Sequence, residues 1–127
     1  MRALGRELAS VLEPGDVLGL VGDLGAGKTR LVQGVLAGLG ATAAAVSPTF
    51  SLVHEYPDAV PSAAHFDFYR MEDPEEAIGM GWDEYLAGDA VLLVEWADRF
   101  DGILMPAGTH WLVIRRVSES EREVSLA

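Results

Sequence analysis

A chain of 127 residues, half of them apolar, holds one compact domain (residues 1–127) with an ordinary core and has no room for a second. Twenty acids against nine bases give a formal net charge of -11 with no cluster of Lys and Arg, a surface that repels RNA, so nucleic acid can matter here only through a partner. Without cysteine there are no disulfides, thiol nucleophiles or Cys-based zinc sites, and with a charged opening stretch and no apolar run near ~18 residues the expectation is a soluble, cytoplasmic protein that does not engage a membrane.

In chain order, "RALGRELASVLEP" spaces Leu4, Leu8, Val11 and Leu12 as an amphipathic helix that stops at Pro14. "DVLGLVG" is a continuous apolar run ending in glycine, the pattern of a strand buried on both faces of a parallel sheet. A second helix follows the glycine-rich turn, with Leu31, Val32, Val35, Leu36 and Leu39 on its apolar side and Gly40 at its end. "ATAAAVSP" is a connection of small residues without periodicity. "TFSLVHEY" and "SAAHFDFYR", separated by the turn-forming "PDAVP", read as a hairpin. "DPEEAIGMGWDEYLAGD" offers Asp73 as an N-cap and Pro74 as a first helical residue, predicting one or two short helices. "AVLLVEW" is another buried strand, "HWLVIRRV" is a partly alternating one, and "REVSLA" can pair with it. The predicted fold is α/β with the glycine loop in its front half.

The chain contains a single lysine among nine basic residues, and it sits in that loop. Gly22, Asp23, Leu24, Gly25, Ala26, Gly27, Lys28 and Thr29 satisfy G-x-x-x-x-G-K-[ST] between a predicted strand and a predicted helix. Glycines admit backbone conformations closed to other residues, so successive N–H groups can converge on phosphate oxygens. The helix start adds the positive end of its dipole. Lysine is a compact point charge able to reach β- and γ-phosphates where the wide arginine fork would crowd the loop. Thr29 offers its hydroxyl to Mg²⁺.

A phosphate loop needs an acid for the magnesium, and two end apolar strands: Asp67 in "HFDFYR" and Glu95 in "VLLVEW". Glu95 follows four aliphatic residues and reads as the end of a central strand beside the loop. Alternation puts His65, Asp67 and Tyr69 on one face. Thr49 of "SPTF" is either a hydroxyl that senses the γ-phosphate through the metal or part of an ordinary turn. Trp96 borders the nucleotide or packs. His54, His65 and His110 lack metal spacing and read as structural or exposed, and Trp82 and Trp111 as packing residues.

Taken together, "GDLGAGKTRLVQG", "VSPTFSLVHEY", "HFDFYR", "DPEEAIGMGWDEYL" and "VLLVEWADR", in this order, resemble the TsaE (YjeE) ATPases of bacterial tRNA threonylcarbamoyladenosine biosynthesis. The resemblance runs from Gly22 to Arg99. It implies a P-loop NTPase-like three-layer fold with a mixed, mainly parallel central sheet, binding of ATP or ADP with Mg²⁺, and action with the TsaD and TsaB proteins. In that family the complex transfers a threonylcarbamoyl group to an adenosine beside the tRNA anticodon, and ATP hydrolysis by this component supports repeated turnover, tRNA being met only through the complex. Carried over, residues Gly22 to Thr29 hold the nucleotide phosphates, with Lys28 also serving the reaction and Thr29 the metal. Thr49 becomes the switch residue, Asp67 the catalytic carboxylate, Glu95 the metal-associated acid and Trp96 a nucleotide-side neighbour. The chain departs from the family where Arg30 replaces a frequent second threonine and where Met80 replaces leucine in "IGMGW". Self-association is left open.

A small-metabolite kinase would use the same loop, but with an acceptor pocket and a basic lid. Eight arginines dispersed over the chain do not supply that lid. A guanine-specific switch reads its base with Asn-Lys-x-Asp, and this chain has no asparagine and no second lysine.

Overall fold

The computed structural model describes residues 1–23, 25–42 and 53–126. One six-stranded sheet runs through the molecule in the order β2-β3-β4-β1-β5-β6. Its four inner strands, β3 (Ala63–Asp67), β4 (Val91–Glu95), β1 (Val17–Val21) and β5 (His110–Arg116), are mutually parallel. The edges β2 (Val53–Tyr56) and β6 (Arg122–Leu126) are antiparallel to β3 and β5. The expected hairpin is therefore the β2–β3 edge, and "REVSLA" does pair with the strand before it.

Inner strands buried on both faces need apolar residues at nearly every position. All five residues of β4 are buried, as are the first four of β1 and of β3. Alternation then divides the core. Leu18, Leu20, Val91, Leu93, Leu112 and Ile114 face α1 (Arg2–Ala9) and α2 (Lys28–Gly38), where Leu31, Val32, Val35 and Leu36 complete the cluster. Val17, Ala64, Phe66, Leu92 and Val94 face the opposite way, onto Ala77 of α3 (Glu75–Gly79) and Trp82 of α4 (Trp82–Ala87). Helices on both faces of a mixed, mainly parallel sheet make the three-layer P-loop NTPase-like fold. Between α1 and α2 the backbones themselves touch: a Cβ on Gly34 would lie 2.2 Å from the Arg2 carbonyl oxygen.

The first helix is shorter than its apolar spacing predicts. Ser10 and Val11 donate to carbonyls three residues back, at Glu7 and Leu8, and the Ser10 hydroxyl also bonds the Glu7 carbonyl. This tightened turn ends α1 and leaves Val11 70% exposed, off the core. At the start of α3 the N-cap is Pro74 rather than the expected Asp73; just before the helix Asp73 Oδ1 accepts the Glu75 N–H and Glu76 Oε2 accepts the Asp73 N–H. Among the described residues no helix is long and apolar enough to cross a membrane.

Candidate functional site

β1, β3 and β4 end side by side, and parallel strands present their carboxyl ends to one crevice. The chain turns there from β1 into α2 through the glycine loop. Gly22 lies so close to β5 that a Cβ would sit 2.4 Å from the Ile114 carbonyl oxygen, and Gly27, with φ 110°, is the left-handed N-cap of α2. Both positions exclude a side chain, one by contact and the other by backbone conformation. The loop is tied internally by Ala26 N–H to the Asp23 carbonyl and externally by Arg122 Nε, which donates to the Ala26 carbonyl at 3.1 Å. The first N–H groups of α2 have no acceptor within the helix and point out of its end.

Lys28 is the first residue of α2 and is 4% exposed. Its ammonium donates to the carbonyls of Gly22 at 2.6 Å and Asp23 at 2.9 Å and lies 4.1 Å from the centre of the Trp96 ring. Burial pushes its pKa below the usual lysine value, and the negative charges of Glu95, Asp67, Asp23 and Asp98 partly offset that push. Trp96 reaches this position from the residue after β4 with φ 57°, a backbone conformation that a bulky side chain rarely adopts and that costs on the order of 1–3 kcal/mol. Its other neighbour is Tyr69, with ring centres 4.7 Å apart.

Thr29, next on α2, donates from Oγ1 to Glu95 Oε1 at 2.8 Å, with Oε2 at 3.0 Å. Glu95, at the end of β4, is 3% exposed, and its Oε2 also meets Nε2 of the fully buried His65 at 2.5 Å. Asp67 is the cross-strand partner of Glu95, so the two acids lie side by side on the α2 face. The Tyr69 N–H donates to Asp67 Oδ1 at 2.9 Å and orients that carboxyl group. The structure thus brings together Gly22, Asp23, Gly25, Ala26, Gly27, Lys28, Thr29, Asp67, Glu95 and Trp96. Leu24 and Thr49, the remaining candidates, lie outside the described residues.

His65 is the member that sequence reasoning set aside as structural or exposed. The signal was present in the alternation that put it on the Asp67 face, but its partner Glu95 is thirty residues away in the chain. His54 is half-buried on edge strand β2 and His110 is exposed at the start of β5.

The donor set suits Mg²⁺. Thr29 Oγ1 and the Glu95 carboxylate are hard oxygens within a hydrogen bond of each other, beside the loop. Among the described residues no three His, Cys, Asp or Glu side chains converge into a closed cage. A cation held here would need further oxygens from outside the protein, as Mg²⁺ commonly takes them. For an anion, the glycines, the helix end and the lone lysine are groups that could hold phosphate oxygens.

A family model described as threonylcarbamoyl adenosine biosynthesis protein TsaE matches residues 1–124. The tRNA threonylcarbamoyladenosine biosynthesis protein TsaE of Bacillus subtilis (strain 168) is 45% identical over 124 residues, spanning 98% of this chain and 77% of that protein. The protein of the same name from Haemophilus influenzae is 42% identical over 112 residues, 84% of this chain and 71% of that one. The crystal structure of Bacillus subtilis YdiB superposes with a TM-score of 0.79 at 38% identity, over 98% of this chain and 76% of that one.

Proposed function

The chain belongs to the TsaE family of threonylcarbamoyl adenosine biosynthesis proteins, and from that premise we propose that it binds Mg-ATP at the glycine loop and hydrolyses it to ADP and phosphate. The hydrolysis supports turnover of a tRNA-modifying complex with TsaD and TsaB proteins. The observation that carries the reading is the hydrogen bond between Thr29 Oγ1 and Glu95, which joins residues 66 apart in the sequence at the mouth of the loop.

In this mechanism the loop N–H groups and the start of α2 receive the phosphates, and Lys28 exchanges its bonds to the Gly22 and Asp23 carbonyls for β- and γ-phosphate oxygens. Thr29 and Glu95 would hold the cation. When bound, Mg²⁺ neutralises charge developing on the phosphate oxygens. Asp67, held by the Tyr69 N–H, orients the attacking water and accepts its proton at a carboxylate oxygen. Trp96 covers the lysine and keeps water from its ammonium. With a net charge of -11 the protein leaves tRNA to its partners.

Phosphate release from ATP, followed with and without TsaD, TsaB and tRNA, tests the proposal. Release onto water that rises with the partners, and is lost in Lys28→Ala and reduced in Lys28→Arg, is the expected result. Phosphate appearing instead on a small acceptor, or full activity in Lys28→Ala, overturns it.

A further inference from the structure

His65 occupies a place where packing alone asks for an apolar residue. It is fully buried on β3 between Ala64 and Phe66, and its cross-strand partner on β4 is Leu93. Only Nε2 is used, on Glu95 Oε2 at 2.5 Å, and Nδ1 is buried with no hydrogen-bond partner among the described residues. A buried polar atom left unsatisfied costs about 1–3 kcal/mol, an expense that an aliphatic side chain would avoid. The contact calls for a proton on Nε2, because an ionised carboxylate only accepts.

Glu95 needs such an anchor. The terminal torsion of a glutamate is broad and roughly two-fold, so the chain alone does not set the carboxylate plane. Asp67 stands directly beside it in the sheet and repels it, while the Lys28 ammonium attracts both acids toward the loop. The His65 Nε2–H holds Oε2 from the strand side, and Oε1 lies 2.8 Å from Thr29 Oγ1. We propose that His65 is the positioning residue for Glu95, fixing its carboxylate so that one oxygen stays with Thr29 at the cation position. The inference rests on the proposed function, in which Thr29 and Glu95 hold Mg²⁺. It follows the general pattern in which carboxylate ligands are themselves held by outer hydrogen bonds.

The test is a titration of ATP binding against Mg²⁺ concentration, without turnover, for wild type, His65→Phe, His65→Gln, Glu95→Gln and the His65→Phe/Glu95→Gln double variant. His65→Phe keeps a buried ring and loses the donor, and it is expected to raise the Mg²⁺ needed for half-saturation about tenfold, with metal-free ATP affinity unchanged. His65→Gln, whose amide N–H has comparable reach, is expected to recover most of the loss. Adding His65→Phe to Glu95→Gln is expected to change nothing further, since the two act through one contact. An unaltered Mg²⁺ requirement in a folded His65→Phe protein, while Glu95→Gln shows a shift, overturns the role of His65 and leaves the reading of Glu95 standing. An unaltered requirement in Glu95→Gln removes both. If His65→Phe melts before it can be titrated, His65→Asn replaces it: its shorter amide does not reach Glu95, so a requirement equal to that of His65→Gln overturns the proposal.

Discussion

The two faces of the sheet are built from the same strands and hold together by different means. On the α3–α4 face, Phe66 and Phe68 of the β3 segment pack edge-on against Trp82, with ring centres 4.9 and 5.3 Å away, and Phe66 meets Tyr85 at 5.0 Å. On the α2 face, one residue along in either direction from Phe66, His65 and Asp67 join Glu95, Thr29 and Lys28 in a polar group of which His65, Glu95 and Lys28 are buried and Asp67 and Thr29 half-buried. The aromatic face is stabilised by area removed from water and by ring geometry, which tolerate no cavity but ask for no particular charge. The polar face is held by partners that satisfy one another, so each member is cheap only while the others remain. Adjacent residues of one strand therefore divide between apolar packing and the polar group.

Substitutions on the two sides of β3 test that separation, and the largest effect is expected at the site. Asp67→Asn should lower phosphate release about 10²–10⁴-fold while Mg-ATP affinity and the unfolding midpoint stay near wild type. A comparable loss of affinity would mean that Asp67 serves binding and that its division of labour with Glu95 is reversed. Phe66→Ala, its neighbour, should show the opposite profile. It is expected to lose about 3–5 kcal/mol of unfolding free energy in a denaturant titration and to keep ATP affinity in the folded fraction. A small loss there would show that the aromatic face can collapse around the missing ring.

Lys28 crosses the comparison, because burial makes its charge unfavourable for the fold while the proposed reaction calls for that charge. Its folded pKa lies below 10.5, so the unfolded chain holds the proton more tightly. The resulting penalty is fully present below the folded value and disappears as pH rises from that value to the unfolded one. Lys28→Met should accordingly melt at a higher temperature than wild type at pH 7, fail to bind ATP, and lose its thermal advantage as the pH approaches 10.5. A thermal advantage independent of pH would trace the gain to packing rather than charge.

The smallest effect is expected at Tyr85, on the rim of the aromatic face. Its hydroxyl donates to Glu55, and that bond, with burial and the charges of Glu55 and Glu84, pushes its pKa up to about 12. The folded state favours the protonated phenol, so this contribution is complete below pH 10.0 and is lost as pH rises toward about 12. Tyr85→Phe should change stability at pH 7 by about 1 kcal/mol or less and remove an ionisation near pH 12 from the ultraviolet titration. An unchanged titration curve would show that the Glu55 contact does not raise the Tyr85 ionisation.

Local signals carried much of the architecture. Apolar runs in "DVLGLVG" and "AVLLVEW" identified two inner strands because burial on both faces leaves no room for polar alternation. The glycine-lysine-threonine spacing located the loop, since only that composition combines close backbone approach with a reaching cation. The order of five short motifs from Gly22 to Arg99 pointed to the family. Where local pattern misled, a neighbour was the reason: Val11 kept the helical spacing, but the Ser10 turn carried it into solvent. Both acids were legible as strand ends, but how Trp96 covers Lys28 through a left-handed backbone and what His65 meets where it is buried were decided only by tertiary structure. Each depends on strands that are neighbours in the sheet and distant in the chain: β4 lies between β1 and β3, so Glu95 meets Thr29 on one side and His65 on the other. Periodicity assigns a residue to a face, but strand order chooses what it meets there.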